Sequence, residues 1–213
     1  MQNVQIKNKV EILRYTLVFL AFAVSTSLYA LTATEVMNKA ASYAKAAKGI
    51  VGVFGVTTSG GSFTGSLKAS GNKFVFATPV STSWYNGKHM WSYNTSSKET
   101  TVVTPTANEI SESNPLEYLR TYSANYSVTF SKNRVAGKYV VTLIPKSKKN
   151  QVRSVEITLN SKSFKPEKFV VIPRAGTAAT VRIKSLDYSK SISASEFEYP
   201  KAKYPRVQII DLR

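Results

Sequence analysis

A chain of 213 residues with 29 Lys and Arg against 12 Asp and Glu carries a formal net charge of +17. That length suits one domain, or one domain behind a removable leader, and argues against two full domains. Hydrophobic residues at 43% and aromatics at 11% supply a sizeable core and exclude a wholly disordered chain. With no cysteine, the chain has no disulfide framework, no thiolate metal site and no cysteine nucleophile.

The first thirty residues have the order of a secretory signal peptide. Lys7, Lys9 and Arg14 form a basic start, and Tyr15 to Val24 is an apolar run followed by small residues and Ala30. The run is too short for a stable membrane span. Cleavage after Ala30 is expected, with Ser27 and Ala33 as alternatives and an uncleaved anchor as the competing reading. The leader holds three basic residues and Glu11, a net of +2, which leaves +15 of the +17 for residues 31–213. In an exported protein that charge points to a membrane surface or an acidic protein and away from nucleic acid.

Thr34 to Lys48 reads as one helix, capped by Thr34 and ended by Gly49, with Val36, Ala40, Tyr43, Ala44 and Ala47 as its apolar stripe. Beyond it the period becomes two. Phe63, Gly65 and Leu67 alternate with Thr64 and Ser66, and Phe74 and Phe76 share a face. Val155, Ile157 and Leu159, then Val181 and Ile183, repeat the pattern. Gly60-Gly61, Gly71-Asn72, Asn86-Gly87, Ala136-Gly137, Asn160-Ser161 and Ala175-Gly176 break the runs, and Asn86-Gly87 suits the two positive-φ positions of a tight hairpin. About eleven antiparallel strands follow from this spacing. A second helix interrupts them, with Asn114 as cap, Pro115 in the first turn, and Leu116, Leu119 and Tyr122 on one face. So large a sheet must curl, leaving the helices to cover its open side, in one mainly β domain over 31–213.

Catalytic constellations are sparse. His89 is the single histidine, and a lone strand histidine beside Trp91 is a poor general base. Glu196 and Glu198, flanked by Phe197 and Tyr199, read as the wet side of a strand. The glycine-rich Gly60–Gly65 stretch fits no phosphate-binding pattern. No catalytic residue, metal ligand or cofactor is assigned. The aromatics Phe54, Phe63, Phe74, Phe76, Trp84, Trp91 and Tyr93 crowd the first half of the β region. They are either an ordinary core or the lining of a cavity inside the curled sheet, suited to a lipid or acyl chain.

The segment Trp84-Tyr85-Asn86-Gly87-Lys88-His89-Met90-Trp91-Ser92-Tyr93 resembles the xxDGxxLWxY hairpin of the outer-membrane lipoprotein carrier proteins, the LolA family. An N-terminal helix, the Phe63–Leu67 strand, Lys73-Phe74-Val75-Phe76 and Asn114-Pro115-Leu116 follow the family order. Phe197-Glu198-Tyr199 and Pro205-Arg206-Val207-Gln208-Ile209-Ile210-Asp211 are similar to its closing FxFxxPxGVxVID element. The resemblance implies a half-open antiparallel β-barrel with a helical lid. It further implies a periplasmic, monomeric, non-enzymatic chaperone for acylated lipoproteins, loaded by an inner-membrane ABC-type release complex and unloaded to an outer-membrane acceptor. The runner-up is a binding module of the same fold for a free lipid, a glycolipid or a regulatory partner.

On this reading the acyl cavity and lid comprise Phe54, Phe63, Leu67, Phe74, Phe76, Trp84, Trp91, Tyr93, Leu116, Leu119 and Tyr122. The family arginine that latches the lid after the Phe63–Leu67 strand is absent from Lys68-Ala69-Ser70-Gly71-Asn72, so apolar contacts alone are expected to hold the lid. Asn86 stands where the family has Asp, a neutral change in a turn. Lys146, Lys148, Lys149 and Arg153 form the densest basic cluster, on a hairpin loop, and serve either docking on anionic headgroups or an acidic partner, or plain solvation.

Overall fold

The structure, a computed structural model, describes residues 31–213. The leader expected at 1–30 lies outside the described residues.

Helix α1 spans Ala33–Ala46 and is capped by Thr32, not Thr34. Thr32 Oγ1 accepts from the Glu35 amide at 3.2 Å while the Glu35 carboxylate accepts from the Thr32 amide at 2.7 Å, a reciprocal pair that the Thr-x-x-Glu spacing permits and Thr34 lacks. The hydrogen bond from the Thr32 amide holds the Glu35 carboxyl below its ordinary value. The helix ends at Ala46 with Ala47 as C-cap, before the expected Lys48. Ala33, Val36, Met37, Ala40, Ala41 and Ala44 are buried, whereas Tyr43, expected on that stripe, is 53% exposed.

Twelve strands follow, where the spacing predicts about eleven. They are β1 Ile50–Thr58, β2 Gly61–Ser70, β3 Lys73–Ala77, β4 Ser81–Tyr85, β5 Met90–Asn94, β6 Glu99–Val103, β7 Tyr126–Phe130, β8 Lys138–Pro145, β9 Val152–Asn160, β10 Pro166–Pro173, β11 Ala179–Asp187 and β12 Gln208–Asp211. They form one sheet in the order β12-β6-β5-β4-β3-β2-β1-β11-β10-β9-β8-β7, so it stays open, with β12 and β7 at its edges. All pairings are antiparallel except that of β12 with β6. Register shifts interrupt the regular ladder at Val53/Phe54 between β1 and β11 and at both ends of the β9–β10 pairing.

Between β6 and β7 the chain crosses from one half of the sheet to the far edge. Two helices make that crossing, α2 Ala107–Ser113 and α3 Glu117–Asn125. Helix α2 has its own capping box, Thr106 with Glu109. Asn114 is the C-cap of α2, and its Oδ1 accepts from the Leu116 amide at 3.1 Å, so it shapes the Asn-Pro turn rather than capping α3 directly.

Pairing fixes which residues share a face. Phe54 lies opposite Gly65, Leu67 opposite Phe76, Phe74 opposite Tyr85, and Tyr85 opposite Met90. Val181 faces Val56 and Phe169, Ile157 faces Phe169, and Leu143 faces Val155. These side chains form the inner face, and most are buried together with the apolar stripe of α1 and with Leu116, Tyr118, Leu119 and Tyr122.

The outer face of the first half is covered by the C-terminal segment. Its 3-10 turns at Ala194–Phe197 and Lys201–Lys203 stand where a strand bearing Glu196 and Glu198 is expected. Phe197 is buried, Tyr199 and Tyr204 meet the Trp84 ring edge-on at 5.5 and 5.9 Å, and Thr100 Oγ1 donates to the Tyr199 hydroxyl at 3.0 Å. The Asn86–His89 turn is pinned to the same segment: Asn86 Nδ2 donates to the Glu198 carboxylate at 3.0 Å. In that turn only Gly87 has positive φ, because Asn86 Oδ1 accepts from the Lys88 and His89 amides and closes a longer loop than a two-residue hairpin.

Candidate functional site

A cavity of about 360 Å³ lies on the inner face. Val56 and Phe63 reach it from β1 and β2, and Phe76 from β3. On the other side stand Val152, Val171, Pro173, Ala179 and Val181 of β9, β10 and β11, with Gln151 and Thr177 on the adjoining loops. Ser111, Pro115 and Tyr118, spaced by a helical period, close it from the α2–α3 segment. Apart from Ser111, Gln151 and Thr177 the lining residues are apolar. The volume sits at the low end of the roughly 300–1,000 Å³ range of small-molecule sites.

The floor beside Phe76 is built by Phe54, whose ring stacks on it at 4.7 Å with the planes 11° apart. That ring lies over Gly65, where a Cβ would come within 2.6 Å of Phe54 Cε2. Glycine is required there by close approach, not by backbone conformation.

Of the expected lining residues, Phe63 and Phe76 face the cavity, and Phe54 supports it. Leu67 and Phe74 share the inner face but lie in the packed core, 2% and 0% exposed. Trp84, Trp91 and Tyr93 are on the opposite face, since Trp84 pairs with Val75 and Trp91, and Tyr93 with Thr82. The single shared lining expected for them is corrected: a side-chain period of two places Trp84 and Tyr85 on opposite faces, and composition does not say which points inward. Trp84 instead borders a separate outer groove of about 450 Å³ with Lys68, Glu196, Lys203 and Tyr204. Leu116, Leu119 and Tyr122 are buried but do not line the cavity; Pro115 and Tyr118 do. The half of the lining from β9 to β11 was missed because its signal is ordinary Val and Ala alternation without aromatics.

The lid is held by more than apolar contact. The Tyr122 hydroxyl donates to Asn38 Oδ1 and so joins α3 to α1. Glu117, 4% exposed, is paired with Arg120 at 2.8 Å. Burial lifts the Glu117 carboxyl above its ordinary value, opposed by the Arg120 charge. Burial and the nearby Glu117 charge push the Tyr85 hydroxyl up as well.

His89 lies at the opposite end of the sheet from the cavity, its Nδ1 3.3 Å from Thr104 Oγ1 and its ring edge-on to Trp91. Among the described residues no group of three His, Cys, Asp or Glu side chains could hold a metal ion, and no helix is long and apolar enough to cross a membrane.

The family model for the outer membrane lipoprotein carrier protein LolA matches residues 24–177. An uncharacterised conserved protein from Thermus thermophilus is similar in structure, with a TM-score of 0.56 at 9% identity over 84% of this chain and 98% of that one. A LolA superfamily protein from Nitrosomonas europaea aligns with a TM-score of 0.43 at 12% identity, over 80% and 99% of the two chains. An outer membrane lipoprotein-sorting protein domain from Vibrio parahaemolyticus gives 0.47 at 13% identity, over 81% and 97%. No curated protein matches the chain. The match to the family model spans most of the sequence, from before α1 into the β10–β11 turn. The chain belongs to the LolA family of outer membrane lipoprotein carrier proteins.

Proposed function

We propose that this member of the family is a periplasmic carrier of acylated lipoproteins, binding an acyl chain in the cavity beneath α2 and α3. It acts by binding and not by catalysis. The observation that carries the reading is the largely apolar, partly open 360 Å³ cavity between the inner sheet face and the α2–α3 segment. Val56, Phe63, Phe76, Val181, Pro115 and Tyr118 are proposed to contact the chain. Burying an acyl chain is worth about 0.8 kcal/mol per CH₂, so an exposed chain of ordinary length costs on the order of 10 kcal/mol in water. A carrier must offset most of that yet release the chain, which favours an adaptable apolar lining over hydrogen-bonded grip.

An anchor with several chains needs more room than this, so loading is proposed to withdraw the α2–α3 segment. Residues 1–30 are proposed to be a cleaved export signal, with an inner-membrane ABC-type release complex as donor and an outer-membrane lipoprotein acceptor as recipient. Mass spectrometry of ligand co-purified from the periplasm tests the reading. Acylated protein bound to the chain is the expected result. Free lipid alone refutes the lipoprotein assignment and leaves a lipid-binding module. N-terminal sequencing of the same material is expected to begin at Leu31.

A further inference from the structure

Strand direction gathers several features at one end of the molecule. Strands β1, β3, β8 and β10 finish there, and β2, β4, β9 and β11 begin there. This is the cavity end, since Val56, Phe63, Pro173, Thr177 and Gln151 all belong to it. The β8–β9 loop supplies Lys146, Lys148 and Lys149, β9 opens with Val152-Arg153, and the β10–β11 turn starts at Arg174.

Among the described residues no carboxylate forms an ion pair with any of these cations. Neither connection contains an acidic residue. Lys146 Nζ donates to the Ser123 carbonyl at 2.8 Å and Arg174 Nε to the Asn150 carbonyl at 2.8 Å, so both loops are held in place while their charges remain. At the opposite end Lys138 pairs with Glu167 at 2.5 Å and Lys190 with Asp187 at 3.3 Å, but Lys132, Arg134 and Lys162 on its loops are exposed as well, and so is Val135. What sets the cavity end apart is that its cations lie on the loops that carry Gln151 and Thr177 of the cavity lining. The cavity end also exposes apolar side chains, Val80 at 59%, Ile144 at 45% and Ile172 at 36%. Unpaired cations interleaved with exposed apolar residues are the composition of a surface that settles at a bilayer interface.

We infer that the cavity end docks on an anionic lipid bilayer surface, with Lys148, Lys149, Arg153 and Arg174 against the headgroups and Val80, Ile144 and Ile172 at the interface. Docking in this pose turns the acyl cavity toward the membrane, so a chain passes between cavity and bilayer with a shortened path through water. The inference rests on the carrier reading for its purpose only. Its test needs no lipoprotein.

The experiment is flotation of the protein with phosphatidylcholine vesicles, with and without phosphatidylglycerol, at low and high salt. Each cation near an anionic surface tightens partitioning by about fivefold at low salt. The triple change Lys148→Gln, Lys149→Gln, Arg153→Gln should weaken binding to anionic vesicles by on the order of a hundredfold. The triple Lys88→Gln, Lys132→Gln, Lys162→Gln, all exposed at the other end, should leave it nearly unchanged.

High salt should remove most of the binding. Because the chain has no cysteine, single labels report the pose. An environment-sensitive fluorophore at Ala175→Cys should shift on anionic vesicles, and one at Lys162→Cys should not. Equal losses from the two triples, a response from the far label, or no binding to anionic vesicles overturns the inference. Failure on vesicles with retention on an acidic polypeptide matrix would assign the surface to an acidic protein partner instead. A Phe76→Glu variant separates the two proposals: it should lose acyl-probe binding and keep vesicle binding.

Discussion

Replacing Gly65 by alanine tests the inner-face packing at its tightest point. The new Cβ would stand 2.6 and 2.7 Å from Phe54 Cε2 and Cζ and 2.8 Å from the Ala77 carbonyl oxygen. Two of these three contacts are with a ring stacked on Phe76, and the third is with paired backbone, so neither neighbour can retreat freely. Overpacking of this kind costs about 1–3 kcal/mol. Alanine recovers roughly 0.4–1 kcal/mol by restricting the unfolded chain, since Gly65 is not at positive φ. At the middle of both ranges the net loss is about 1 kcal/mol, or roughly 2–4 °C in Tm for a domain of this size. Urea and thermal unfolding measure it.

The double variant Gly65→Ala, Phe54→Leu should cost less than the two single changes together, because the smaller side chain vacates the space the methyl needs. Affinity for a fluorescent fatty acid should fall in Gly65→Ala, as the displaced Phe54 ring moves Phe76 at the cavity wall. An unchanged or raised stability in Gly65→Ala, or strict additivity in the double, would refute the packing described here.

Phe76→Glu should abolish binding of the fatty-acid probe in a folded protein, whereas Tyr93→Leu on the outer face should retain it; calorimetry with the same probe measures both. Tyr122→Phe removes the hydrogen bond to Asn38, worth about 1 kcal/mol, and should raise amide exchange across Glu117–Asn125 roughly fivefold. Asn86→Asp replaces a donor with a second carboxylate against Glu198, so the urea midpoint should drop at neutral pH. For Glu117 the folded carboxyl lies above its ordinary value of 4.5, so the folded state holds the proton more tightly. Its contribution is present in acid and lost as the pH rises through that raised value, and Glu117→Gln should flatten this part of the pH profile.

The sheet was legible because strand patterning survives translation into structure. Alternation in β2, β9 and β11 reports a half-buried surface whatever strand lies alongside. Which face points inward was not legible, and Trp84 shows why. Its neighbour Tyr85 is equally aromatic and equally suited to burial, and only the pairing of Tyr85 with Phe74 decides between them. The outer face looks like an inner one in composition because the C-terminal segment buries Trp84 and Val102 from outside. Reading Glu196 to Tyr199 as a strand hid that cover. Both helix starts could have been found, since Thr32-x-x-Glu35 and Thr106-x-x-Glu109 carry capping-box spacing. Helix α2 is short and its sequence, ANEISES, has no apolar stripe, so its cap was the single available signal.

The substitution at Asn86 and the missing arginine bear on different parts of one molecule, and together they indicate which part moves. With Asn in the turn, the side-chain amide can donate to Glu198, which an aspartate cannot do, and the β4–β5 turn is fastened to the C-terminal segment. Lys68 reinforces the fastening through its ion pair with Glu196, on the strand end where the family arginine would follow. The basic residue there thus serves the outer face, not the lid. The first half of the sheet is consequently clamped from outside by Phe197, Tyr199 and Tyr204 and is poorly placed to deform.

The α2–α3 segment, by contrast, is fastened to α1 by the Tyr122–Asn38 hydrogen bond and to the β8–β9 loop by hydrogen bonds from Lys146 to the Ser123 and Asn125 carbonyls. It rests on the sheet largely through apolar side chains, and its buried Glu117–Arg120 ion pair lies within α3 itself. Apolar contacts can be exchanged for contacts with an acyl chain at small net cost, whereas the aromatic and ionic clamp on the outer face offers an acyl chain no such exchange. Opening should therefore proceed by withdrawal of α2 and α3 from a sheet that keeps its curvature. Hydrogen exchange with and without a bound fatty acid discriminates. Protection should change across Ala107–Asn125 and stay constant in β3, β4 and Ala194–Phe197. Equal change in the outer clamp would mean that the sheet itself opens.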